Sequence, residues 1–162
     1  MQVDGGKRTE KKHKMASLEP LATVTRWVGF VSGVLTILLW CFQLSSTSPS
    51  ISIGDDPLAD VNKSSWRMQL FSFVPSVFID VWTPFVMGAM TVMSHIASFH
   101  LDFMSVNFAH YFIWSVLMAL FGNMGYAGVV GIVVASITLL SSLLSLICAF
   151  LYEGTASLKL GH

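Results

Sequence analysis

Charge is what this chain has least of. Charged residues make up 11% of its 162 residues, against about 25% in an ordinary soluble domain. Between Met68 and Tyr152 the only formal charges are Asp80 and Asp102. A chain so poor in polar surface cannot cover a globule in water. Cysteine is equally sparse. Cys41 and Cys148 both fall in apolar stretches, near opposite membrane faces in the topology below, which excludes a disulfide between them and leaves them as packing residues. The chemistry-bearing signatures are missing too: no G-x-S-x-G, Walker loop, C-x-x-C, H-E-x-x-H or nucleotide fingerprint occurs. Outside the polar loop after the first apolar stretch, most serines lie on apolar stretches, where such side chains bond back to the helix or pack. These absences argue against an enzyme. Beyond a short basic tail there is no nucleic-acid footprint.

Hydrophobicity fills the space. Apolar residues make up 54% of the chain and mean hydropathy is +0.68. The stretch Tyr126–Tyr152, YAGVVGIVVASITLLSSLLSLICAFLY, holds neither a charge nor a proline. As a helix it extends about 40 Å, enough to cross a bilayer core of about 30 Å with some tilt. The expected fold is therefore all-α: a polytopic integral membrane protein with four transmembrane helices, at about 21–43, 81–99, 104–122 and 126–152. They are flanked by a polar, Lys-rich arm over 1–20 and a tail over 153–162.

In the first helix Trp27 and Trp40 stand about 20 Å apart, as two interfacial anchors would. Arg26 is placed to reach toward headgroups. Gly29 and Gly33 form a G-x-x-x-G pair, and the fourth helix carries small residues at four-residue steps: Ala127, Gly131 and Ala135, then Ser141, Ser145 and Ala149. Such stripes mark faces for close helix packing. Residues 44–67 are rich in Ser, Pro and Asp, apolar character returns from Trp66, and the loop 44–80 as a whole is assigned to the exoplasmic side. It contains Asn62-Lys63-Ser64, a glycosylation acceptor pattern. Asp80 has two readings. Either it lies at the centre of a span over 69–94, or it caps a helix starting at Val81 with Pro84 in the first turn. The second is preferred because it buries no charge.

Six of the nine basic residues, Lys7, Arg8, Lys11, Lys12, Lys14 and Arg26, lie ahead of or just inside the first apolar stretch. The positive-inside rule then puts both termini on the cytoplasmic or matrix side, with acidic lipid headgroups as partners of the arm. The histidines form the one cluster with ligand chemistry. His95 and His110 fall at similar depth across a helical hairpin, where two imidazoles can ligate a haem b, and His100 with Asp102 can help hold a divalent metal. The alternative is imidazoles at the membrane boundary, satisfied by water and headgroups. That alternative is preferred, so no cofactor is expected.

The stretches WTPFVMGAMTVMSH and FMSVNFAHYFIWSVLMALFG, followed by the long apolar final helix, resemble the COPI-associated small Golgi membrane protein family. The similarity covers residues 81–152 and consists mainly of helix spacing with Gly88 and Gly122. Phe108-Ala109-His110 stands where that family has a Gly-Arg-Gly-like feature. The resemblance implies four helices and a role around vesicle traffic. Read from the residues alone, the leading expectation is a non-catalytic accessory subunit of a larger membrane complex, an organellar energy-converting complex being one home, with other membrane subunits as partners. A Golgi or endomembrane trafficking protein is the second expectation, and a haem-carrying electron-transfer subunit the third.

Overall fold

The computed structural model describes residues 4–47, 74–99, 101–124, 126 and 128–161. The chain is all-helical, and among the described residues the only β feature is an isolated parallel bridge between Ile96 and Leu160. Among the described residues, five α-helices follow in order: α1 Asp4–Thr47, α2 Pro75–Ser94, α3 Asp102–Ser105, α4 Phe108–Leu117 and α5 Val129–Leu151. A π-helical turn, Met118–Asn123, continues α4.

The helix boundaries differ from those expected at places with an identifiable cause. The Lys-rich arm is not separate: α1 runs unbroken from Asp4 through Pro20 for 44 residues. Lys, Arg, Glu, Met, Ala and Leu predominate over residues 7–19 and are strong helix formers, so the helix loses little by continuing past the apolar stretch. The expectation that α2 starts at Val81 with Asp80 as its cap is corrected. Val74 is the extended N-cap and Pro75 opens the helix. Proline suits a first position, where its missing N–H would have no partner anyway. Asp80 is then an exposed residue inside α2, and the buried Pro84 is an internal proline. The expected third helix is broken after α3. Asn107, in an extended conformation, caps α4 by accepting the His110 backbone N–H at 2.9 Å. Gly128, with φ 59° and ψ −123°, takes a backbone shape closed to other residues and turns the chain into α5.

The helices form an antiparallel bundle in which α1 packs on α2 and α5, α4 packs on α5, and the π turn touches α1, α2 and α5. Glycines set the closest approach. A methyl group on Gly88 would stand 2.9 Å from the Gly33 carbonyl oxygen and 3.0 Å from the Ile37 amide nitrogen, so α1 and α2 meet backbone to backbone. Gly33 likewise faces Thr91, and Gly29 lies directly against the Tyr111 ring.

The distribution of residue types is inverted relative to a soluble bundle. Thr25, Ser32, Thr36, Thr91, Thr138, Ser141 and Ser145 are buried, whereas Val129, Ile132, Leu143 and Phe150 are exposed, Phe150 at 82%. Most of the buried hydroxyls donate to a carbonyl one turn back, as Thr36 does to Ser32 at 2.8 Å and Ser145 to Ser141 at 2.8 Å. This satisfies them without water.

Among the described residues, two segments are long and apolar enough to cross a membrane: Ser17–Leu44, with a mean hydropathy of 1.8, and Val129–Leu151, with 2.4. Phe78–Ser94 and Phe108–Asn123 are apolar but shorter; at 1.5 Å per residue each reaches only about 25 Å.

Candidate functional site

Polar side chains gather at the end of the bundle where α2 stops, α4 begins and α5 ends. His95 follows directly on α2 and is fully buried. Its Nδ1 accepts the Leu158 backbone N–H at 3.2 Å, so in the neutral ring the proton sits on Nε2, which stands 3.2 Å from the Tyr111 hydroxyl. Nε2–H therefore donates to Tyr111. The rings of Phe30 and Tyr111 meet His95 edge-on, with centroids 5.9 and 5.5 Å away. Burial, and secondarily the Arg26 guanidinium, push the imidazole down to about 4, so it is neutral at physiological pH.

Beside this pair sits Arg26. Its Nε donates to the Thr155 carbonyl at 3.0 Å and its Nη1 to the Glu19 carboxylate at 3.1 Å. The guanidinium also lies 5.7 Å from the centroids of both the Phe108 and Tyr152 rings. Tyr152 donates its hydroxyl to Glu19, closing the group. The expectation that Arg26 reaches out toward headgroups is thus corrected. The charge is matched within the chain, because Glu19 lies two helical turns earlier on α1 and the α5 end brings Tyr152 and Thr155 to it. An open cleft of about 410 Å³ borders the group, between Val106–Ala109 on one side and Tyr152–Thr155 on the other.

The end of the chain completes this region. The Ala156 N–H donates to the Ser105 carbonyl at 3.0 Å, and the Ser157 hydroxyl to the Ser94 carbonyl at 2.8 Å. The Leu160 N–H donates to the His95 carbonyl at 2.8 Å, and the Ala97 N–H to the Leu160 carbonyl at 2.9 Å. The carbonyls exposed where α2 stops are therefore met by Ser157 and Leu160, beyond α5.

The anticipated site residues fare differently. His95 and His110 do not converge. His110 is exposed, with its Nδ1 2.7 Å from the Asn107 side-chain oxygen, while both ring nitrogens of His95 already have partners. A haem iron needs a free ring nitrogen on each side, and this geometry offers none at His95. His100 and Asn62 lie outside the described residues, and Asp102 opens α3. Among the described residues no three His, Cys, Asp or Glu side chains are grouped to hold a metal ion. The small residues Gly29, Gly33, Gly131, Ala135, Ser141 and Ser145 are buried within this one chain, and Ala149 packs partly buried against the same core; Ala127 lies outside the described residues. Trp27 is exposed, whereas Trp40 packs against Trp82 and Phe85. Cys41 is exposed; the buried Cys148 has its Sγ 3.3 Å from the Thr25 hydroxyl.

Sequence reasoning did not find Tyr111, Glu19 or the 153–161 segment as partners in this group. Their contacts are long-range, and no spacing pattern announces them. The isolated Asn107 ahead of an apolar run was the one local signal, as a helix cap.

An all-helical bundle with two membrane-length helices is the class that the fold defines. No protein-family model, curated protein or solved structure matches this chain.

Proposed function

We propose that this protein is a multi-pass membrane protein whose helices α1, α2, α4 and α5 all lie in the bilayer, and that it serves as a non-catalytic structural subunit of a larger membrane assembly. The observation that carries this reading is the inverted distribution of residue types. Hydroxyls and glycines are spent on contacts inside the bundle, while Val, Leu, Ile and Phe cover its outside. In water that outer surface would aggregate; in lipid it is at rest. The short helices α2 and α4 enter with the longer ones, which supply their packing partners. His95 and Arg26, the two groups with chemistry to offer, are each held by partners within the chain.

Support for an assembly comes from α1. Beyond Ser17 it continues back to Asp4, about 20 Å past the span. A helical extension of that length is marginal in water by itself, so a protein or lipid surface that lies along it is part of this reading. The organelle proposed is one housing an energy-converting complex.

Native electrophoresis of membranes solubilised in a mild detergent tests the proposal. Co-migration of the full-length chain with a complex several times its own 17.8 kDa mass is expected. Migration only as a monomer overturns the subunit reading. Monomeric behaviour combined with residence in Golgi membranes would instead favour the trafficking role implied by the family resemblance.

A further inference from the structure

The chain does not end where α5 ends. We propose that residues 153–161 are a releasable strap, docked across the ends of α2 and α3, and that its docking, rather than helix packing alone, seals the His95–Tyr111 pair from the aqueous phase.

The strap is anchored at one point and tied at several. Ala156 is the anchor: it is fully buried and belongs to the same apolar cluster as Ala22, Phe108, Tyr111 and Cys148. Around it, backbone and hydroxyl groups of the strap bond Ser94, His95, Ala97 and Ser105. Most of these partners are groups that the end of α2 leaves open, so the strap finishes the helix. Gly154, Thr155, Lys159 and Gly161 are exposed and lie outside any helix, with Thr155 tied to α1 only through the Arg26 Nε donation to its carbonyl. A segment secured by one small side chain and a few hydrogen bonds opens at far lower cost than the bundle beneath it.

Lys159 shows that the docked shape is imposed. With φ 52° it is the one described residue other than glycine in the left-handed region, a conformation that side-chain-bearing residues adopt at a cost. The shape persists because of what it permits. Lys159 donates its N–H to the Ser157 hydroxyl at 3.2 Å while that hydroxyl donates to Ser94, and the turn returns Leu160 to bond both His95 and Ala97. The strap is therefore closed by contacts and opposed by its own backbone. When it leaves, the Nδ1 of His95 loses its donor, the His95 carbonyl loses the Leu160 N–H, and the Ser94 carbonyl keeps only the Ser105 hydroxyl at 3.4 Å. A partner that captured the last residues would thereby uncover an imidazole at the membrane boundary.

Two substitutions in the full-length protein pull the strap in opposite directions. Lys159→Pro forbids a positive φ and removes the N–H that Ser157 accepts. Lys159→Gly keeps the N–H and adopts the turn without strain. The readout is the rate at which diethyl pyrocarbonate modifies His95 in detergent micelles, followed by mass spectrometry, with the exposed His110 as internal reference. Lys159→Pro is expected to raise the His95-to-His110 ratio at least tenfold and Lys159→Gly to lower it by about fivefold, with hydrogen exchange at α5 amides unchanged in both. A ratio within twofold of the unsubstituted protein in Lys159→Pro, or a raised ratio in Lys159→Gly, overturns the proposal. Should the proline variant fail to fold, the glycine variant decides alone through the sign of its effect. The result is independent of whether the protein belongs to a larger assembly.

Discussion

Glycines in this bundle carry unequal weight, and their neighbours say why. At Gly88 a methyl group would meet the Gly33 carbonyl and the Ile37 amide nitrogen, both backbone atoms of α1. Neither can move without moving the helix, so Gly88→Ala is expected to destabilise by about 1–3 kcal/mol, as overpacking does. At Gly122 the nearest atom is the Met87 sulfur at 3.2 Å, the far part of a flexible side chain. There the strain is small and alanine's better helix propensity offsets it, so Gly122→Ala is expected to change stability by less than about 1 kcal/mol. Thermal unfolding of the two variants in one detergent measures the difference; equal losses would show that α1 and α2 do not meet at backbone contact. The residue scale also shows what spacing alone conveys. Gly29 and Gly33 were legible as a packing face, but that they face Tyr111 and Thr91 of the same chain was not.

Among the elements, length separates α1 and α5 from α2 and α4. Val129–Leu151 has a mean hydropathy of 2.4 and no proline, whereas Phe78–Ser94 carries Asp80 and Pro84 and is several ångströms short of a bilayer core. Placed in a host protein with glycosylation sites on both flanks, the α5 segment is expected to insert as a span in nearly every copy. The α2 segment is expected to insert in fewer than half, and to gain when α1 precedes it, because Gly33 and Ile37 give it a surface to pack on. Full insertion of isolated α2 would contradict a role for α1 in carrying it. The internal Pro84 also explains why the start of α2 was misjudged. One proline near an acid imitates a helix start, yet the true start was the other proline, Pro75, and only the neighbouring Val74 backbone distinguishes them.

At the scale of the whole molecule, the ends of several elements meet through polar and aromatic contacts at one end of the bundle, while Asn123–Thr138 and Trp114–Thr91 pair elsewhere along it. Arg26 of α1 reaches Thr155 beyond α5, His95 beyond α2 meets Leu158, and Phe108 at the start of α4 meets Tyr152 edge-on. The start of the α1 span and the end of α5 are therefore neighbours. Tags at the two ends, in sealed vesicles treated with protease, are expected to be removed together or protected together. Removal of one alone would contradict the antiparallel arrangement of α1 and α5.

Sequence by itself determined that the chain is helical, that its longest apolar stretches reach membrane length, and that its small residues lie on packing faces. Each of these follows from composition and period, which are local quantities. Tertiary structure decided which faces meet, that Arg26 is matched by Glu19 rather than by headgroups, that His95 and His110 part company, and that the last residues fold back over α2. Those outcomes depend on contacts between residues tens of positions apart. In an apolar interior the few polar groups must find one another wherever the chain brings them, and no periodicity records where that will be.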